Sequence, residues 1–187
     1  MQMSFDLYFA SSNIHKFNEA KKILNNFGIQ IGFFKCKLEE IQSDSLTEIA
    51  KHKAKLAFLK CKKPVIVEDD GLFIDSLNGF PGPYSSYVFQ TIGNKGILQL
   101  LKQNRKAKFS SLISYCDQKC NETFESKLNG IISKKISGKG WGYDPIFIPQ
   151  NQKNTFAKLE NKNKLSHRFK SLKKFSKWYL DKRESID

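Results

Sequence analysis

Val65-Ile66-Val67-Glu68-Asp69-Asp70-Gly71 sets three β-branched residues directly before three consecutive acids and a glycine. The apolar triplet reads as a short buried strand with the acids at its exit. Lys62-Lys63-Pro64 breaks the chain in front of it. Upstream, Ser45 and Glu48 stand three apart ahead of Ile49, Ala54 and Ala57, a capping-box pattern for a helix reaching about Lys60. Further back, Phe17, Ala20, Leu24 and Phe27 recur at helical spacing, which predicts a helix from near Lys16 to just before Gly28. Phe5 to Ala10 alternates and then runs apolar, as a first buried strand does.

Downstream of the acids, Pro and Gly crowd residues 79 to 83 and predict a rigid loop. Gly96 to Leu101 reads as helical. Phe109 to Tyr115 and Thr123 to Ile136 read as strands around a hairpin turn at Asp117 to Asn121. Phe169, Leu172, Phe175 and Tyr179 give a closing amphipathic helix. Strands and helices alternate early, and a long hairpin follows. The expected class is α/β: a mixed twisted sheet with flanking helices, in one elongated, two-lobed domain over residues 1–187 with a central cleft.

At 187 residues and 40% hydrophobic content, with sixteen phenylalanines, the chain can bury a substantial core and does not read as disordered. It carries no internal repeat, linker or low-complexity segment. No apolar run approaches a membrane span, and Met1 to Ser12 lacks the basic start and apolar centre of a signal peptide. Cys36, Cys61, Cys116 and Cys120 form neither a CxxC pair nor a zinc pattern, which fits reduced thiols in the cytoplasm. Thirty-two Lys and Arg against eighteen acids give a net charge of +14 and favour polyanionic partners. A lysine-rich solvent face accounts for much of that excess, as at Lys170, Lys173, Lys174 and Lys177.

Three segments carry chemistry. Ser11-Ser12-Asn13-Ile14-His15-Lys16 lies between the first strand and its helix. Helix N-terminal N–H groups, hydroxyls, an amide and a lysine there make a triphosphate cradle; an ordinary helix cap fits the same residues. Glu68-Asp69-Asp70 concentrates negative charge that a core does not need. A divalent cation would relieve it, carboxylates plus substrate phosphates being a usual way to hold Mg²⁺; a solvated acidic turn is the alternative. In Gly140-Trp141-Gly142-Tyr143-Asp144-Pro145, aromatic faces can stack on a base while glycine allows close approach. An aromatic turn in the core explains that segment equally.

In this order, with Asn78-Gly79-Phe80-Pro81-Gly82-Pro83-Tyr84-Ser85 after the acids and Ser166-His167-Arg168 near the end, the motifs resemble the Ham1/RdgB family of inosine triphosphate pyrophosphatases. The resemblance runs from about residue 5 to about residue 180. It implies a Mg²⁺-dependent hydrolase that splits ITP, dITP and XTP into monophosphate and pyrophosphate. Asp69 then aligns with the catalytic, metal-binding aspartate and Glu40 with a metal-ligating glutamate. Ser11, Ser12, Asn13, Lys16, Lys53, Asp70 and Lys162 fall at triphosphate-side positions. Trp141, Gly142, Tyr143, Asp144 and His167 fall on the base side, and Arg168 aligns with the arginine that contacts the purine 6-oxo group. The resemblance further implies a cytoplasmic homodimer, with no membrane and no stable nucleic-acid partner.

Three departures stand out. Ser12 replaces a glycine, and a left-handed backbone there would cost it about 1 kcal/mol. Asp70 replaces a Ser or Thr that donates to phosphate, which an ionised carboxylate cannot do. Lys158 stands where the family has glutamate. Two rival functions remain at this stage: a Maf-like pyrophosphatase of pyrimidine or modified nucleotides, and a basic nucleic-acid-binding module, against which the clustered acids count.

Overall fold

The computed structural model of the chain describes residues 5–160 and 162–184. Its elements run β1 (Tyr8–Ser11), α1 (Ile14–Asn25), β2 (Gly32–Lys35), α2 (Leu46–Cys61), β3 (Val65–Ile74), β4 (Pro81–Gly82), α3 (Ser85–Thr91), α4 (Gly93–Leu100), β5 (Lys106–Cys116), β6 (Asn121–Ile132), β7 (Phe147–Pro149), α5 (Lys162–Leu165) and α6 (His167–Glu184). Seven strands form one sheet in the order β2-β1-β3-β5-β6-β7, with β4 beside β3. The pairs β1·β2 and β1·β3 are parallel, while β3·β4 and β6·β7 are antiparallel. The expected mixed α/β sheet is present.

The chain divides into two compact units. One comprises residues 1–69, 111–126 and 168–187, the other residues 70–110 and 127–167. In the first, α1 and α2 are the crossovers that parallel strands require. Side-chain alternation along each strand assigns residues to one of two cores. Leu7, Phe9 and Ile66 join Phe17, Ala20 and Leu24 of α1 and Leu172, Phe175 and Tyr179 of α6. Ala10, Val65 and Val67 join Ala54 and Ala57 of α2. Because β1 lies between β2 and β3, the chain leaves it first to one side and then to the other. Ligands in such sheets bind at the carboxyl ends of the strands where that reversal occurs. Here that place is the exit of β1 and the neighbouring stretch of β3.

The second unit is built on Leu72, Ile74, Val88, Ile97, Phe109, Ile132, Tyr143, Phe147 and Phe156. At Gly71 the backbones of β3 and β4 come so close that a Cβ would lie 2.5 Å from the Gly82 carbonyl oxygen. Only glycine fits there.

The first two helices match expectation, but only half of the capping box forms at α2: the Ser45 N–H donates to Ser43 Oγ, and Glu48 Oε2 accepts from Ser43 Oγ. Ser45 Oγ accepts from the Glu48 N–H at 3.3 Å. Other boundaries differ. β3 does not end at the acids but continues through them to Ile74. β6 stops at Ile132, because Ser133 N–H turns to the Ile146 carbonyl at 2.7 Å. Strands β2 and β7 and helix α3 are too short or too mixed in polarity to leave a periodic signal. No helix among the described residues is long and apolar enough to cross a membrane. All four cysteines are free thiols.

Candidate active site

The fate of Glu68 and Asp69 follows from strand alternation. Position 69 shares the face of Val65 and Val67, so Asp69 points toward α2; Glu68 shares the face of Ile66 and points toward α1 and α6. The two carboxylates therefore do not face each other, and the repulsion that the sequence suggests is largely avoided by geometry.

On the α2 face, Lys53 Nζ donates to Asp69 Oδ1 at 2.6 Å and to Glu40 Oε1 at 2.8 Å. Its side chain is only 12% exposed, whereas its helix neighbours Lys51 and Lys55 face solvent. Lys53 thus stands apart from the solvated lysine face on which the sequence would equally place it. Burial pulls its ammonium downward, but the charge and hydrogen bonds of Asp69 and Glu40 outweigh that and hold it above its ordinary value. Burial pushes the Asp69 carboxyl upward, against the opposing pull of Lys53 and Lys16. The second oxygen, Asp69 Oδ2, is buried and accepts no hydrogen bond. Such an atom in a native fold calls for a ligand or a cation.

Lys16 lies in the first turn of α1, just after the short loop that leaves β1. There Asn13 caps α1, with Oδ1 accepting from His15 N–H at 2.9 Å and Lys16 N–H at 3.3 Å. Ser11 Oγ accepts from Asn13 N–H at 3.0 Å. The cap and the cradle are thus the same residues. Ser12 is not in the left-handed region, which among the described non-glycine residues holds Lys62, Asn78 and Asn151. The strain that would attend a glycine-only conformation is absent.

On the opposite face of β3, Glu68 is fully buried. Both its oxygens accept from Arg168 Nε at 2.7 Å, and Oε1 also accepts from Ser111 Oγ at 3.0 Å. Arg168 Nη1 donates to Glu19 of α1, and the arginine side chain is 3% exposed. Sequence reasoning singled out Arg168 for a base but missed Glu19 and Ser111 as its surroundings. The helical position of Glu19 on the inward side of α1 was the available signal.

In the second unit, Lys162 Nζ donates to Asp144 Oδ2 at 2.5 Å and lies 5.8 Å from the centroid of the Trp141 ring. Trp141 is 38% exposed. Gly142 has φ +60° with open space around its α-carbon, and its carbonyl accepts from Asn94 Nδ2 at 3.1 Å. Tyr143 instead belongs to the core: its hydroxyl donates to the Ser85 carbonyl at 2.8 Å and its ring meets Phe89 edge-on. His167 is buried with its ring stacked on Phe109 at 4.5 Å. Asp70, half-buried, opens the second unit as β3 continues.

No cluster of three His, Cys, Asp or Glu side chains suited to a metal occurs among the described residues. Glu40 and Asp69 make a two-carboxylate set, which needs ligand oxygens to complete a shell.

Residues 7–178 match the model of the Ham1 family. A dITP/XTP pyrophosphatase of Methanopyrus kandleri is 51% identical over 177 residues, covering 91% of this chain and 94% of that protein. One from Hyperthermus butylicus is 43% identical over 174 residues, covering 90% and 92%. Among solved structures, a HAM1 protein from Coxiella burnetii aligns with a TM-score of 0.82 at 26% identity, over 95% of this chain and all of that one. The Ham1 protein of Staphylococcus aureus aligns at 0.77, also at 26% identity, over 94% and 99%. With the family model matched across almost its whole length and relatives this similar, the chain belongs to the Ham1 family.

Proposed function

We propose that this Ham1 protein hydrolyses dITP, ITP and XTP to the nucleoside monophosphate and pyrophosphate, removing non-standard purines from the cytoplasmic nucleotide pool. The observation that carries the reading is the Asp69 carboxylate, held through one oxygen by Lys53 while the other is buried without a partner. The names borne by its relatives support the same reading.

The donor set suits a divalent cation. Two carboxylates and a buried, uncommitted oxygen match a hard ion that completes its shell with phosphate oxygens. Glu40 and Asp69 would hold Mg²⁺, which when bound supplies charge neutralisation of the triphosphate. Asp69 orients the attacking water and takes its proton. Lys16, Lys53, the hydroxyls of Ser11 and Ser12 and the side-chain amide of Asn13 bind the phosphates, and pyrophosphate leaves with them. Trp141 offers a face for the purine and Asp144 polar atoms for its edge, while Lys162, paired with Asp144, joins the lysines assigned to the phosphates. The guanidinium of Arg168, fixed in place by Glu68 and Glu19, is the donor assigned to the 6-oxo group. Adenine carries an amino group there and presents a donor instead.

The homodimer that the family resemblance implies would use exposed apolar side chains, and the second unit carries several. Phe80, Tyr84, Tyr87, Phe89 and Ile92 are all exposed, Tyr87 by 69%. Exposed large apolar side chains that join into one patch mark association sites. Tyr87→Glu would yield a monomer in sedimentation.

Hydrolysis of dITP in ¹⁸O-labelled water tests the reaction. Label in the monophosphate, with pyrophosphate as the first product, is expected. Orthophosphate and diphosphate as initial products would overturn the assignment.

A further inference from the structure

Lys53 occupies an unusual place for a residue assigned to the triphosphate. Its ammonium sits between the two carboxylates that suit a cation, 2.8 Å from Glu40 and 2.6 Å from Asp69. Those contacts take Asp69 Oδ1 and Glu40 Oε1, so a divalent ion at about 2.1 Å from the remaining Asp69 oxygen would stand within a few ångströms of the ammonium. The two cations would then repel each other across one carboxylate, in a place where the lysine and Asp69 side chains are each only 12% exposed. Water screens them poorly beside Asp69, though well at Glu40, whose side chain is 61% exposed.

We propose that Lys53 is the resident cation of the nucleotide-free enzyme: its ammonium and the divalent ion exclude each other at Glu40 and Asp69, and loading the ion releases Lys53 toward the phosphates. This rests on the pyrophosphatase reading above and deepens it by assigning Lys53 two alternating partners. The lysine has the means to move. Its four-carbon stem is flexible and its charge is a point rather than a fork, so it can exchange carboxylate for phosphate oxygens without a change in the helix that carries it. The exchange makes ion and nucleotide binding mutually reinforcing, because phosphate oxygens receive the ammonium that the ion displaces.

The exclusion is measurable without turnover. If the ammonium holds the carboxylates nine-tenths of the time or more, it weakens apparent ion binding about tenfold or more. Mn²⁺ binding to the nucleotide-free, full-length protein can be followed by the electron paramagnetic resonance of the free ion. Lys53→Met is expected to bind Mn²⁺ about tenfold or more tighter than wild type, while Lys53→Arg, which keeps a cation, stays near wild type. A Lys53→Met protein that binds Mn²⁺ no tighter than wild type would overturn the exclusion. Should Lys53→Met fold poorly, the wild type supplies a second readout. The Lys53 ε-methylene resonance, assigned by its loss in Lys53→Arg, should shift on saturation with Mg²⁺ and a non-hydrolysable dITP analogue, and an unmoved resonance overturns the release. Wild-type hydrolysis of dITP is measured separately, so the exclusion can fail while the pyrophosphatase reading stands.

Discussion

Glu68 and Asp69 are adjacent acids on one strand, yet their surroundings could hardly differ more. Glu68 accepts from Arg168 and Ser111 and is entirely buried. Asp69 shares Lys53 with an exposed glutamate and keeps one buried oxygen unpartnered. A satisfied buried charge belongs to the fold, because moving it would cost several kcal/mol. An incompletely satisfied one is the signature of a site that waits for a ligand. The period of two along β3 separates two tasks: the face toward α2 carries the acid assigned to metal and water, and the face toward α1 and α6 carries the buried charge that fixes Arg168.

That division makes substitutions on the two faces behave oppositely. Asp69→Asn keeps the shape and removes the charge. Loss of a general base alone lowers kcat about 10²- to 10⁴-fold, and impaired metal binding adds to that. The melting temperature should change little, since Lys53 keeps Glu40. An Asp69→Asn enzyme within a few-fold of wild type would break the comparison from the chemical side. Arg168→Met attacks the other face by stranding Glu68 without its counter-charge. Removing one partner of a buried pair typically costs about 3–5 kcal/mol, which urea denaturation would read directly. The double variant Glu68→Leu, Arg168→Met leaves no such charge and should recover most of that loss. Failure to recover would mean that Glu19 or the packing of α6, not the pair, sets the cost.

The early fold was legible because its signals are local: a cap at Ser45, apolar spacing in α1 and α2, and β-branched residues at Val65. The length of β3 was not. Three acids in a row read as the end of a strand, since their neutralisation comes from Lys53, Arg168 and Ser111, which lie far away in sequence. Asp69, Glu40 and Lys53 could be named from the family motifs, and the structure brings them together in one cluster. Tyr143 could not be sorted from its neighbours. In Trp141-Gly142-Tyr143, one aromatic is exposed and the other buried against Ser85 and Phe89, and only tertiary packing decides which.

Ser111→Ala tests the structural face at lower amplitude. The hydroxyl donates to Glu68 Oε1 at 3.0 Å and lies 3.0 Å from Ser171 Oγ, all within the protein interior. A buried hydrogen bond to a charged group is worth about 1.5–3 kcal/mol, less than the ion pair it supports. Stability should fall by that amount with kcat and KM for dITP unchanged. A change in KM without a change in stability would place Ser111 on the chemical side and blur the separation.

The smallest stability effect belongs to Glu40, and it sharpens the contrast most. Its side chain is 61% exposed, and Lys53, its partner, is held as well by Asp69. An ion pair with one end in solvent contributes at most about 1 kcal/mol and less in high salt, because water and counterions screen it. Glu40→Gln should therefore leave the urea midpoint almost unmoved, with any difference vanishing at high ionic strength. A carboxylate held for a metal behaves otherwise toward Mg²⁺. Replacing it by a neutral amide removes charge from the ion's shell, so the Mg²⁺ concentration for half-maximal dITP hydrolysis should rise clearly while stability does not. Titrating Mg²⁺ in both proteins beside their denaturation curves separates these effects. If Glu40→Gln lowered stability and left the Mg²⁺ requirement alone, Glu40 would serve the fold like Glu68, and the α2 face of β3 would lose its claim to be the chemical one.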